Sequence, residues 1–356
     1  MIGIFEKYLT IWVALCIISG TLIGNWIPAI PKFLGETLTV YEVNIPIGLL
    51  LFGMIYPMLL KIDFKSVKGI MEHKKAILIT LITNWLLAPF SMFLWSKLFF
   101  ESIFSTFLTD TEQTGYLAGA ILLGVAPCTA MVFLWSVLTK GCPTYTLIQV
   151  AVNDVILIFA FAPIATFLLN VSSIPFQVRT ILVSVGLFVV LPFFCAVVTR
   201  MILLRRPGGE KKVEAFIKFG GNFSMVALLS TLVLIFVFQG DAILTNPLHI
   251  LLIAVPYTIH TVIIFIIPFF TSVFFKVPFK YTGPSSMIAA SNFFELAVAS
   301  AMVIYGPESP AVLATVVGVL TEVPIMLSLC KFINWYRVRV EGPDEEVKPA
   351  QEERRK

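Results

Sequence analysis

Charge is what this chain most lacks. Only 13% of its 356 residues are Asp, Glu, Lys or Arg, while 58% belong to the apolar set and the mean hydropathy is +0.94. Soluble proteins carry about 25% charged residues, so a water-exposed surface cannot be assembled from this composition. Histidine and cysteine are also scarce. The three histidines and five cysteines (Cys16, Cys128, Cys142, Cys195, Cys330) lie scattered, the cysteines in or beside apolar runs and odd in number. A disulfide framework is not expected from that pattern, and no cluster has the three or four ligands at set spacing that a structural metal needs. Missing too are a Walker A lysine motif, a zinc-protease helix motif and a Gly-rich dinucleotide turn, which excludes an ATP-driven pump in a single chain. No cofactor is expected. The net charge of +4 is spread through the connections with no dense basic patch, so a nucleic-acid partner is not expected either.

What is present is a series of apolar runs. They fall at roughly 9–30, 43–60, 76–100, 115–139, 144–169, 179–204, 213–238, 248–275, 281–305 and 310–334, each long enough to cross about 30 Å of hydrocarbon as a helix. The expected fold is an all-α integral membrane protein with ten transmembrane helices. The N-terminal stretch has no Ala-x-Ala cleavage site and is read as a retained first span. Among the 25 basic residues only Lys32, Lys97 and Arg179 fall at connections on one side; Lys61, Lys65, Lys68, Lys74, Lys75, Arg200, Arg205, Arg206, Lys211 and Lys212 are among those on the other. The positive-inside rule then puts both termini in the cytoplasm of a multi-pass protein of the cell membrane, with the 101–114 loop outside.

Ten spans divide into two sets of five, and an odd number per set makes the second half enter the bilayer inverted. Residues 1–170 are expected to form the first repeat, 171–338 the second, and 339–356 a disordered cytoplasmic tail. Polar interruptions recur at a matching offset. Pro127-Cys128 in the fourth span and Asn153-Asp154 in the fifth are echoed by Ser291-Asn292 with Glu295 in the ninth and Glu322 with Pro324 in the tenth; Cys128 to Glu295 is 167 residues and Asp154 to Glu322 is 168. A proline inside a span frees backbone groups that lipid cannot satisfy, so they must meet protein or a cavity. Broken fourth and ninth helices sharing one central site is the expectation, against the plain alternative of a kink at Pro127 with no ligand.

Asp154, Glu295 and Glu322 stand near span centres with no Lys or Arg at that depth. An ionised group there costs about 2.5 kcal/mol or more, which makes each a functional candidate. Desolvation favours the protonated carboxyl, the state a proton carrier passes through; permanently neutral acids bonded between helices are the bland alternative. Cys128 follows the break and is expected to open a half-helix whose dipole favours thiolate, a soft ligand for a thiophilic substrate. The other cysteines read as small buried hydrophobes, Cys142 as incidental at a turn. His260 reads as a helix-packing residue, His73 and His249 carry no assignment, and the phenylalanines and tryptophans (12, 26, 85, 95, 135, 335) are expected to face lipid or its interface.

The stretch GVAPCTAMVFLWSVLTKGCPTYTLIQVAVNDVILIFAFAPI from Gly124 to Ile164 resembles the signature of the arsenite permease family, within the bile acid, arsenite and riboflavin transporter superfamily. SNFFELAVASAM from Ser291 to Met302 and GVLTEVPIMLSL from Gly318 to Leu329 agree. The resemblance covers essentially the whole chain. It implies export of arsenite, with antimonite as a second candidate, in exchange for protons, an essential cysteine at Cys128 and an essential glutamate at Glu295. It departs at Cys142, where family members often carry an acid. On this reading arsenic(III) is the substrate held by Cys128, its hydroxyls bonding to Thr129, Asn153, Ser291 or Asn292, while Glu295, Glu322 and Asp154 are the proton-coupling candidates. A sodium-coupled organic-anion symporter of the bile-acid type is the alternative. A receptor that binds without translocating lacks a signalling domain, and an intramembrane enzyme lacks a base beside Cys128.

Overall fold

A computed structural model describes residues 9–40, 43–60, 74–129, 131–245 and 247–342. The terminal Glu6 and Lys7, the basic connection with Lys61, Lys65 and Lys68, and the expected tail from residue 343 onward lie outside them. The described chain is almost wholly helical. A two-stranded antiparallel hairpin, β1 (Thr39–Val40) and β2 (Val43–Asn44), pairs Thr39 with Asn44 and Val40 with Val43. Three of its four residues, Thr39, Val40 and Val43, are β-branched, which favours that short ribbon over helix.

The helices are α1 (Leu9–Trp26), α2 (Ala29–Lys32), α3 (Ile45–Leu59), α4 (Lys74–Ile82), α5 (Ala88–Leu98), α6 (Asp110–Gly124), α7 (Val132–Leu138), α8 (Pro143–Val171), α9 (Val178–Val185), α10 (Leu191–Leu204), α11 (Gly209–Thr245), α12 (Pro247–Phe274), α13 (Phe279–Ala290), α14 (Phe294–Tyr305) and α15 (Pro310–Glu341). Six helical stretches are long and apolar enough to cross a membrane: Lys74–Ile103, Pro143–Val171, Val178–Leu204, Gly209–Asp241, Pro247–Phe274 and Pro310–Glu341. A seventh counts if Ala14–Trp26 and Ala29–Gly35, bent by 90°, form one span. That bend falls at Pro28, inside what the sequence reads as one continuous first span, because proline withholds the donor that would carry α1 onward. The same chemistry places π turns at Thr83–Leu87 and Gly186–Val190, just before Pro89 and Pro192. A wider turn there keeps the proline ring off the preceding carbonyls.

Ends are capped where the chain must turn. Thr109 and Glu112 form a reciprocal capping box at the start of α6. Ser309 caps α15 ahead of Pro310. Arg200 donates to the Leu60 carbonyl at 2.7 Å, at the end of α3.

Burial separates two kinds of helix. Large apolar side chains such as Leu49, Phe159, Phe219 and Phe274 point outward, the belt that a hydrocarbon solvent requires. In contrast α6 from Tyr116 to Gly124, α13 from Thr282 to Ala290 and α14 from Phe294 to Val303 are buried at every position. A helix enclosed on all faces belongs to the centre of the protein. It must carry small residues where neighbours approach: a Cβ on Gly119 would meet the Ala311 carbonyl of α15. At the other side of the molecule Gly20 and Gly24 of α1 seat against Val233, Phe236 and Val237 of α11, the small-xxx-small packing of membrane helices. A side chain on Gly24 runs into the Val237 backbone, which no rotamer can relieve. Gly24→Leu is expected to cost about 1–3 kcal/mol or more and to deplete the monodisperse detergent-extracted peak in size-exclusion chromatography, while Gly221→Ala, with nothing near its would-be Cβ, leaves it intact.

Candidate functional site

Helix α6 stops at Gly124 and α7 begins at Val132; α13 stops at Ala290 and α14 begins at Phe294. The two interruptions lie against each other. Pro127 and Asn292 form an antiparallel bridge, the Cys128 N–H donates to the Ser291 carbonyl at 3.0 Å, and the Phe293 N–H donates to the Ala126 carbonyl at 2.7 Å. Each broken helix thus supplies the backbone partners that the other lost, which satisfies polar groups enclosed away from water. Cys128 therefore stands in an extended clasp, four residues ahead of α7, and does not open a half-helix as the sequence led us to expect. The Cys128 N–H is taken up by pairing with the facing segment.

Five of the residues singled out from the sequence meet at this crossing. Cys128, Ser291, Asn292, Glu295 and Glu322 are all buried. The Ser291 hydroxyl and the Asn292 backbone N–H both donate to the Glu322 carboxyl, which ties α15 to the clasp. The Cys128 thiol lies within hydrogen-bond reach of Ser291 and of the Met131 backbone, and within electrostatic reach of both Glu322 and Glu295. Glu295 occupies the first turn of α14, where the helix dipole favours an acid. Neither of its carboxyl oxygens bonds to another described residue; the group that reaches the carboxyl is the backbone N–H of Glu295 itself. A buried carboxyl with no partner on any other helix is costly as a purely structural element, so its position calls for an exchangeable occupant.

The remaining candidates are placed apart. Asp154 and Thr129 border a separate void of about 10 Å³ with Ile55, Leu59, Phe133, Leu147 and Val150, room for about one water. Asn153 is drawn away from its neighbour: its Oδ1 accepts from Trp85 Nε1 at 3.0 Å. Successive helix residues point about 100° apart, so adjacent Asn153 and Asp154 serve different faces of α8.

Elsewhere, His260 Nδ1 and Ser91 Oγ are 3.2 Å apart, joining α12 to α5. His249, given no assignment from the sequence, sits 2.8 Å from the Tyr116 hydroxyl and 3.3 Å from Glu112. Trp135, read as lipid-facing, is fully buried. It belongs to α7, a two-turn helix packed on α8, α13 and α15, so its aromatic face turns inward. The Ser291–Glu322 and Trp85–Asn153 pairs were not foreseen, since both link spans whose relative rotation the sequence does not state. No group of three or more His, Cys, Asp or Glu able to hold a metal ion occurs among the described residues.

Fold and site together define a multi-pass membrane protein with a polar crossing sealed inside it. A family model described as the Sodium Bile acid symporter family matches residues 48–246. The arsenical-resistance protein Acr3 of Alkaliphilus metalliredigens is 50% identical over 94% of this chain and 93% of its own length. An uncharacterized transporter of Synechocystis is 41% identical over 92% and 88%, and the Acr3 protein of Corynebacterium glutamicum 30% over 94% and 90%. The chain belongs to the sodium bile acid symporter family and, within that breadth, to the arsenite permease family of arsenical-resistance proteins.

Proposed function

We propose that this protein exports arsenite from the cytoplasm by proton antiport, antimonite being a second candidate substrate. The observation that carries the reading is the enclosure of one thiol and two carboxyl groups at a single helix crossing. Whole-length similarity to two arsenical-resistance proteins supports the choice of substrate. Ten spans in two inverted five-helix repeats supply the frame: the six long helices, the bent pair at α1 and α2, the short apolar α3, and the two interrupted pairs α6/α7 and α13/α14. The basic connections put both termini in the cytoplasm of this cell-membrane protein.

Arsenous acid is uncharged at neutral pH, so voltage alone cannot expel it. A proton returning inward supplies about 2.3 kcal/mol per 100 mV. At the crossing the Cys128 thiol displaces one arsenic hydroxyl: S–H and As–O bonds break, an S–As bond forms, and water leaves. Hydroxyls that remain bond to Ser291 and Asn292; Thr129, next to Cys128 in the chain, borders the Asp154 void and is a further candidate contact. Three thiols would trap arsenic(III); one allows release, in which water adds back to arsenic, the S–As bond breaks and the thiol regains its proton. Glu295 yields its proton as arsenite binds from the cytoplasm and regains one from outside after release. Glu322, held by Ser291 and Asn292, couples its own ionisation to the clasp, and Asp154 beside Thr129 is a further protonatable group. Asn153, tied to Trp85, stabilises α8 and is the weakest of the candidate contacts. Rocking of the outer helices against the clasp switches access.

Uptake of arsenite into everted vesicles tests this directly. An imposed pH gradient, acid inside, is expected to drive accumulation that collapses with a protonophore and is indifferent to replacing sodium by choline. Sodium dependence would favour instead the organic-anion symporter reading that the family's name carries. Against it, no Lys or Arg among the described residues belongs to the crossing to meet an anion.

A further inference from the structure

The helices pack as two sets. Helices α1, α3 and α10 lie against α11, whereas α6, α7, α12, α13 and α14 lie against α15 and α8 lies against α7, so both halves of the clasp belong to the second set. Helix α3 makes its main contacts with α10 and α11 and not with α7 or α8. A seam therefore runs between the sets at that point, and the void of about 10 Å³ beside Asp154 lies in it. Ile55 and Leu59 of α3 line one side; Phe133 of α7 with Leu147 and Val150 of α8 line the other.

The two ends of the boundary between the sets differ. Ile55 and Leu59 belong to the last turns of α3, and Leu147 and Val150 to the first turns of α8. The void thus lies toward the side whose connections carry the basic residues, the cytoplasmic side by the positive-inside rule. There the sets meet through apolar side chains and leave room for about one water. At the opposite end a cavity of about 1050 Å³ separates them, between α1, α2 and α11 on one side and the link from Gly306 to Ser309 on the other. The polar lining of the void is Asp154, about 10 Å along α8 from Leu147 at 1.5 Å per residue, and Thr129, which follows Cys128 in the clasp. No described residue bonds to the Asp154 carboxyl or faces it with a charge. Its oxygens and the Thr129 hydroxyl also differ from the Glu295 carboxyl, whose oxygens are closed to water.

We propose that this seam is the closed cytoplasmic entrance to the clasp, sealed by Leu59 and Phe133, and that Asp154 and Thr129 behind the seal are the hydrogen-bonding contacts a small neutral polyhydroxy solute meets before it reaches Cys128. The choice of solute rests on the arsenite-export reading. A buried acid and hydroxyl set in a void without partners are costly as packing alone, and one acceptor beside one donor matches a solute that offers both O–H groups and oxygen lone pairs. The apolar side chains suit the opposite task. Opposed across the boundary of two helix sets, they close the seam by contact alone, and no bond between α3 and α7 or α8 has to break for the sets to part. The void ends one residue from the thiol, so a solute held there has its arsenic beside the sulfur that takes it next.

The experiment uses Cys128 of the full-length protein as its own reporter. Everted and right-side-out vesicles are treated with a membrane-impermeant maleimide, and the rate at which the Cys128 peptide is alkylated is followed by mass spectrometry. In Leu59→Ala and Phe133→Ala the rate from the cytoplasmic face is expected to rise at least fivefold while that from the outer face stays level or falls; Phe159→Ala, on the lipid-facing side of α8, leaves both within twofold. Cytoplasmic rates within twofold of wild type in both seal variants overturn the entrance, as does an equal rise from both faces, the mark of general loosening. For the contacts, arsenite uptake into everted vesicles is measured in Asp154→Leu and Thr129→Val. KM at the cytoplasmic face is expected to rise at least fivefold, a ratio that a uniform loss of active protein does not move; a fall in kcat with KM within twofold overturns the contacts. Absence of uptake by wild-type vesicles overturns the export reading and the contacts with it, whereas the alkylation, which needs no arsenite, still decides the entrance.

Discussion

Cells expressing Cys128→Ser are expected to retain arsenite as fully as cells without the protein, with export reduced more than tenfold against wild type when intracellular arsenic is followed by elemental mass spectrometry. The substitution exchanges one atom. The backbone bond from residue 128 to the Ser291 carbonyl does not involve the side chain, and neither does the bridge between Pro127 and Asn292, so the clasp that holds the site remains. What disappears is the soft donor. Arsenic(III) prefers sulfur to oxygen, and in the crossing Cys128 is the thiol set beside Ser291, Glu295 and Glu322. Membrane abundance equal to wild type, shown by quantitative blotting, makes the loss one of chemistry. Export at the wild-type rate would remove the thiol from the transport cycle.

The second large effect concerns Glu295. In Glu295→Gln, arsenite accumulation driven by an imposed pH gradient is expected to drop more than tenfold, while exchange of labelled for unlabelled arsenite across the vesicle membrane continues. Net export requires a proton to be taken and given on each cycle; exchange requires only that the loaded carrier reorient. Glutamine keeps the shape of the side chain and cannot cycle a proton. Because the Glu295 carboxyl bonds to no other described residue, and glutamine keeps an acceptor for the backbone N–H of residue 295 itself, no bond between helices is lost with its charge. Equal loss of both modes would make Glu295 a substrate contact, and undiminished gradient-driven uptake would transfer the coupling role to Glu322. That residue differs in kind, since its carboxyl accepts from Ser291 and from the Asn292 backbone. Glutamine there keeps an acceptor for Ser291, so any effect of Glu322→Gln on folding is expected to be small.

Much of the site was legible before any fold was known, for identifiable reasons. Proline at 127 withholds a helix donor and the structure interrupts α6/α7 there, whereas Pro163 in α8, Pro256 and Pro268 in α12 and Pro324 in α15 are passed by helices that run on. A carboxyl amid twenty apolar residues must be enclosed by protein, and Asp154, Glu295 and Glu322 are enclosed. Other expectations failed where they depended on direction. Asn153 adjoins Asp154 in the chain, yet it bonds to Trp85 across to another helix. Trp135 has the apolar surface of a lipid-facing residue and is buried instead, because α7 is too short to span and is surrounded. His249 gave no signal, since a histidine at a helix start acquires meaning only from the Glu112 and Tyr116 that another helix brings to it.

Composition is a local property, carried by the residues themselves, and so the amino-acid order alone determined the membrane setting and the presence of acids within apolar runs; which prolines interrupt a helix it did not, since Pro324 lies inside α15 and Pro163 inside α8. The rotation of each helix about its axis is different. A turn of about 100° per residue moves a side chain from lipid to interior, and that angle is set by neighbours more than a hundred residues away. Only the tertiary structure decided that residues 126–128 pair with 291–293 and that Ser291 meets Glu322.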